Sequence, residues 1–319
     1  MVPITQEEVV QLFLAYEVER RAPLIAGKRL VHYTSAEAAY RIVTGRQVWM
    51  RSAGVMNDFS EIAHGLACLR AAWDAPSGNA LQELLNRLRA GLRDELQQVF
   101  DGHVPGFRES TFITSLSEHD DDEDQLGRLS MWRAYGGRSG VALVLNPTAF
   151  AAETDTMKVF SSPVRYMDAP MFVEWFDGWS GGLVAAEERL KLLGADGVLN
   201  ILFMVFRSIV MCTKHPGFAE EKEWRVFYSP IHEGDSDWVT SSTEVVSGVP
   251  QLVMKIELKD DADRGVKGVA PDGIVNRVII GPCEYPLQVR AAMENALIGA
   301  GVQEAAKRIT ISFVPLRQS

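Results

Sequence analysis

The stretch Glu221-Lys222-Glu223-Trp224-Arg225-Val226-Phe227-Tyr228 opens with charge and continues in aromatic and β-branched residues. Such residues fit a pleated, half-buried surface, so 223–228 reads as a strand. Strand side chains alternate, and period two carried back to 221 puts Glu221, Glu223, Arg225 and Phe227 on one face. Lys222, Trp224, Val226 and Tyr228 take the other. Two carboxylates side by side repel, which costs stability or raises a pKa. Arg225 relieves this by pairing with Glu223. The stretch is therefore either an exposed ion-pair ladder or a carboxylate site among apolar neighbours.

Further strands are expected over 30–33, 48–51, 111–116, 140–145, 159–166, 252–258, 277–280 and 309–313. Amphipathic helices are expected over 5–21, with Thr5 and Glu8 at capping-box spacing, and over 36–43 behind Ser35 as N-cap, with Gly45 as the stop. More are expected near 58–73, 81–100, 126–135, 183–212 and 286–300. Residues 75–79 (APSGN) and 168–182 read as loops. Strands and helices do not alternate regularly, so the fold class is α+β: a mixed, mostly antiparallel split sheet flanked by helices. Residues 1–27 read as an N-terminal helical segment. Residues 28–319 read as a single domain with helical insertions near 60–100 and 183–212.

Composition narrows the function classes. The chain has 319 residues, 47% hydrophobic and 23% charged, which is ordinary globular usage. No apolar run reaches the ~18 residues of a membrane span, and the N-terminus lacks a secretory pattern, so a cytoplasmic protein without a membrane partner is expected. A net charge of −10 does not favour duplex nucleic acid as a tightly held partner. Cys68, Cys212 and Cys283 are widely spaced, and the six histidines show no HExxH pattern, so no metal is called for. The absence of a Gly-x-Ser-x-Gly elbow argues against a serine hydrolase.

Other motifs bear chemistry-capable groups. His32 ends a strand in Leu-Val-His-Tyr-Thr-Ser, either bonded to backbone or mounted for function. Asn57-Asp58-Phe59-Ser60-Glu61 looks like a helix cap. Thr114-Ser115-Leu116-Ser117 offers hydroxyls to a ligand, or simply turns out of a strand. The acidic run 120–124 lacks the Gly and final Glu of a calcium loop and reads as a solvated lead into a helix. Trp132 and Tyr135 are three apart on a helix, as core or as a stacking surface.

In order, His-Tyr-Thr-Ser, Asn-Asp-x-x-Glu, Ser-x-Ser, Trp-x-x-Tyr before Gly-Val, Glu-x-Glu-Trp-Arg and an Ile-Ile-Gly-Pro strand end resemble a large bacterial family of unknown function. This layout, over roughly 28–315, also resembles the ADP-ribosyltransferase fold. The resemblance implies NAD as substrate and no metal. It implies Glu223 as catalytic carboxylate with Glu221 as its companion. His32, with Tyr33 and Thr34 beside it, would hold a ribose. Ser115 and Ser117 would form the middle element, Tyr135 with Trp132 would stack on nicotinamide, and Arg225 would complete the cofactor-binding set. The implied activity is transfer of ADP-ribose to a macromolecule, protein or nucleic acid, as in a toxin or antiviral-defence effector. An NAD glycohydrolase and a non-catalytic nucleotide- or peptide-binding regulator are the alternatives.

Overall fold

The computed structural model describes residues 3–55, 61–151, 156–246 and 248–315. The motif at 57–60 lies outside the described residues, and the helix Glu61–Trp73 follows it. The strands are β1 (Arg29–Ser35), β2 (Gln47–Ser52), β3 (Phe112–His119), β4 (Ser139–Leu145), β5 (Phe160–Pro163), β6 (Arg165–Tyr166), β7 (Thr213–Lys214), β8 (Glu223–Tyr228), β9 (Val239–Val246), β10 (Val249–Glu257), β11 (Val275–Cys283) and β12 (Ile309–Ile311). The class is α+β.

The chain divides into two compact units. One comprises Met1–Arg20, Ala53–Thr111 and Ser162–Ala219; it is helical, with the short parallel pair β6–β7. The other comprises Arg21–Ser52, Phe112–Ser161 and Glu220–Ser319. It is built on a ten-stranded sheet in the order β12-β11-β4-β1-β3-β2-β10-β9, with β8 on β3 and β5 on β8. The ladders of β1 with β3 and β4, β2 with β3 and β10, β3 with β8, and β4 with β11 are antiparallel; β11–β12 is parallel.

Period two decides which residues each face of this sheet receives. Leu30, Leu116, Leu143, Trp224, Met254 and Val278 pack in the larger core, together with Ala39 and Val43 of the helix Ala36–Gly45 and Met293 and Leu297 of the helix Pro286–Gly299. Val31, Tyr33, Ala142, Val144 and Ile279 point the other way and pack with Met131 and Trp132 of the helix Leu129–Tyr135. The sheet also has a gap. Along one edge of β3, β2 pairs with Phe112 and Ile113 and β1 with Ser117 to His119, so Thr114 to Leu116 have neither beside them.

The helix starts follow their caps. Thr5 and Glu8 form the capping box, and Ser35 accepts from the Ala38 amide at 3.2 Å. The helix Ala36–Gly45 ends at Gly45, and its C-cap, Arg46, takes φ +50.

Three expectations fail for identifiable reasons. Residues 75–79 are not a loop: the helix Pro76–Leu88 starts there with Pro76 in its first turn, where a missing N–H is harmless. Gly78 is needed because a Cβ there would collide with the carbonyl oxygens of Trp73 and Ala72. The leucine-rich helix expected to run unbroken to 100 stops at Leu88. A new one, Leu92–Ser110, begins after Gly91 at φ +80. Residues 168–182 form the helix Ala169–Ala185, capped by Asp168, which accepts from the Met171 amide at 3.0 Å. Its glycines are offset by an apolar stripe of Phe172, Phe176 and Leu183 and by Trp175 stacked on Trp179 at 5.9 Å. The polar strand β9 was not anticipated; it lies at the sheet edge, paired throughout with β10.

Gly78→Ala should therefore destabilise the helical unit by about 1–3 kcal/mol, the usual range for forced overpacking. Urea unfolding followed by tryptophan fluorescence measures it, and an unchanged midpoint would show that the two helices separate freely.

No single helix among the described residues is long and apolar enough to cross a membrane. The pair Glu187–Leu193 and Ala195–Met211, bent by 102°, passes that test only when joined.

Candidate active site

β8 begins at Glu223, and the residue before it decides what the neighbouring carboxylates do. Lys222 takes φ +45, a left-handed conformation that breaks the strand alternation. Glu221 ends a short 3-10 turn and does not lie beside Glu223 on one strand face, contrary to the reading from period two. Its carboxylate instead accepts a hydrogen bond from the Tyr135 hydroxyl at 3.0 Å, and both residues remain partly exposed.

Within β8 the alternation is regular. Trp224, Val226 and Tyr228 enter the larger core. Glu223 and Arg225 take the opposite face, where the register sets Glu223 against Ser117 and Arg225 against Ser115. Both are buried, Glu223 at 6% and Arg225 at 2% exposure, so their pairing is not a surface ladder. Arg225 Nε donates to Glu223 Oε1 at 2.9 Å and Nη2 to Oε2 at 3.2 Å. The Ser115 hydroxyl donates to Oε1 at 2.6 Å. The result is a desolvated carboxylate held by a two-pronged guanidinium and a short hydroxyl bond, with a second buried serine opposite it.

His32 is not part of this cluster. Val31 pairs with Ser117, so Val31 shares the face of Glu223 and His32, one residue on, takes the other. Its Nδ1 lies 2.9 Å from the Ser115 carbonyl oxygen, in the gap along β3, and must carry the proton to donate there. Burial pushes the imidazole below its ordinary pKa, so the neutral ring is favoured. Thr34 lies two residues further along on the face of His32.

Tyr33 and Trp132 pack against one another as core, not as a ligand platform. Their rings meet edge to face at 4.9 Å. The Tyr33 hydroxyl accepts from the Arg128 amide at 2.8 Å, and burial pushes its pKa up to about 12. The Trp132 indole N–H donates to the Leu126 carbonyl at 2.8 Å.

The acidic run is only partly solvated: Asp121 and Asp122 are exposed, but the run forms a short 3-10 turn whose other carboxylates are paired. Asp120 pairs with Lys28 and, at 2.9 Å, with Lys222. Arg29 pairs with Asp121 at 2.6 Å and with Asp124 at 2.9 Å, and Arg128 with Glu123 at 2.9 Å. His119, fully buried, has Nε2 2.9 Å from Asp124. Arg128 also donates to the carbonyls of Glu118 at 2.9 Å and Glu220 at 3.0 Å, while the Glu118 amide bonds the Lys222 carbonyl at 2.9 Å. This network fixes the entry into β8. Sequence alone gives Arg128 no role and puts Lys222 only on the face opposite Glu223; the remaining signal is that a five-residue acidic block needs basic partners.

Lys28 first, and then Lys222, hold the Asp120 carboxyl down to about 2 from its ordinary 3.8. A depressed folded-state value means the stabilisation is complete above the unfolded-state value of about 4 and is lost as pH falls from there toward 2. The stability difference between the wild type and Asp120→Asn at pH 6 should therefore shrink steadily across that window in denaturant titrations. A constant difference would show that the pairing contributes nothing electrostatic.

Among the described residues, no group of three or more His, Cys, Asp or Glu side chains is placed to hold a metal ion. Cys68, Cys212 and Cys283 are free thiols. No curated protein and no solved structure matches the chain. Residues 131–226, which span Trp132, Tyr135, Glu221, Glu223 and Arg225, match the model of a protein family of unknown function, DUF2971.

Proposed function

We propose that this protein cleaves the nicotinamide–ribose bond of NAD and transfers the ADP-ribosyl group to a macromolecule, with Glu223 as the essential carboxylate. The observation that carries the reading is the 2.6 Å bond from Ser115 to Glu223, which joins the Ser-x-Ser and Glu-x-Glu motifs across 108 residues on one buried face. When the glycosidic bond breaks, its electron pair leaves with nicotinamide and positive charge develops on the ribose. A fixed carboxylate in a site with little water stabilises that charge strongly. Ser115 orients Glu223, and Arg225 holds both of its carboxylate oxygens. Glu221, half exposed and bonded by Tyr135, takes the proton of the incoming nucleophile in this reading. His32 has no role in this reading, because it faces the other side of the sheet.

Incubation with NAD labelled on its adenylate half should release nicotinamide and label a macromolecule in a cell extract. Glu223→Gln, which keeps the shape and removes the charge, should bring both to background. Nicotinamide with free ADP-ribose and no labelled acceptor would make the enzyme a glycohydrolase. Equal release by wild type and Glu223→Gln would overturn the proposal.

A further inference from the structure

The core face of the sheet holds a cavity of about 110 Å³. Its wall is aliphatic and aromatic for the most part, with Leu116, Leu143, Leu145, Phe150, Val226 and Ile256 among the lining residues. Among the described residues, no lysine, arginine, aspartate or glutamate lines that wall. Three side chains that line it are polar: His32, Thr114 and Ser161.

Two of these have unmet hydrogen-bonding capacity. His32 spends Nδ1–H on the Ser115 carbonyl, which fixes the tautomer and leaves Nε2 as an acceptor; Nε2 has no hydrogen-bond partner among the described residues. The Thr114 hydroxyl likewise has none, although the residue is only 6% exposed. Neither atom is sealed from solvent, so each offers an open hydrogen-bonding position to whatever enters the cavity. Both groups flank the gap along β3, where neither β1 nor β2 pairs with Thr114 to Leu116. At about 110 Å³ the space is smaller than the ~150 Å³ that accepts benzene, so a single small ring would fill it closely.

We propose that this cavity is a binding site for a small neutral molecule with a hydrocarbon body and one hydroxyl, of the phenol class. The hydroxyl proton suits the imidazole acceptor, and its oxygen suits the threonine donor. The aliphatic wall takes the ring, and burial against that apolar surface selects against ionised ligands. The site lies on the opposite face of the sheet from Glu223 and does not depend on NAD turnover.

Calorimetry with phenol, anisole and benzoate tests it. Phenol should bind the wild type. Anisole, which has the ring but no proton to donate, should bind about tenfold more weakly, the usual effect of leaving one buried polar group unpaired. Benzoate should not bind. Thr114→Val, a nearly isosteric change that keeps the fold, should weaken phenol by a similar factor and weaken anisole as well, because the ether oxygen also accepts from the threonine hydroxyl. Glu223→Gln should leave phenol binding intact, so failure here is distinguishable from failure of the NAD reading. Equal affinities for phenol and anisole, or phenol binding indifferent to Thr114→Val, would overturn the proposal.

Discussion

Arg225→Ala should destabilise the sheet unit by about 3–5 kcal/mol, a large share of the ~5–15 kcal/mol that holds a typical domain together. The size follows from burial. Arg225 and Glu223 are 2% and 6% exposed, so removing the guanidinium takes two charge-assisted bonds from a carboxylate that water cannot readily reach. Removing one partner of a buried pair costs far more than the pair contributes relative to an apolar replacement, because the remaining charge is stranded. A double change, Glu223→Leu with Arg225→Met, should therefore recover much of the loss. Guanidinium chloride titrations of both variants provide the measurement. A loss under 1 kcal/mol for Arg225→Ala would show that solvent or another cation readily takes the place of Arg225. The same titration bears on function: a carboxylate clamped in one place by Arg225 is what the proposed chemistry asks of Glu223.

Much of the sheet was legible because strands announce themselves by local pattern. The run 223–228 is rich in aromatic residues around Val226, and it forms β8 with those bounds. The Glu223–Arg225 pairing followed from period two. Two things escaped. The first was local: alternation could not be carried back to Glu221 because Lys222 turns left-handed, and nothing about a lysine signals that. The second was the relation between strands. His32 and Glu223 could be placed on one side only by knowing the register of β1 on β3 and β3 on β8, and a slip of one residue reverses the answer. The sequence did contain a warning, since His32 and Tyr33 are adjacent on a strand and cannot both face one ligand. Glycine and proline misled at 75–79 and 168–182, where composition suggested loops but packing holds helices. Gly78 is there for a close backbone approach, a need that appears only when two helices are in place.

Trp132→Ala should cost about 3–5 kcal/mol, and the reason lies as much in its neighbours as in the indole. The ring is 2% exposed, meets Tyr33 edge to face, and spends its N–H on Leu126. Glycines close in on it from three sides. A Cβ at Gly127 would come within 2.7 Å of the indole, at Gly281 within 2.8 Å and at Gly140 within 3.0 Å. Gly140 lies in β4 and Gly281 in β11, paired neighbours, so the two strands carry a shallow seat that only hydrogen side chains leave open for the ring. Gly281→Ala should accordingly be destabilising in the wild type, by about 1–3 kcal/mol for a forced clash. In the Trp132→Phe background the benzene ring is smaller, and the same Gly281→Ala change should cost markedly less. The expected coupling is about 0.5–3 kcal/mol, which a four-member cycle of unfolding measurements resolves. Strict additivity would mean that the indole does not fill the seat the glycines leave. Coupling would tie residues from three segments of the sheet unit into one packing device behind β1, the strand whose other face presents His32.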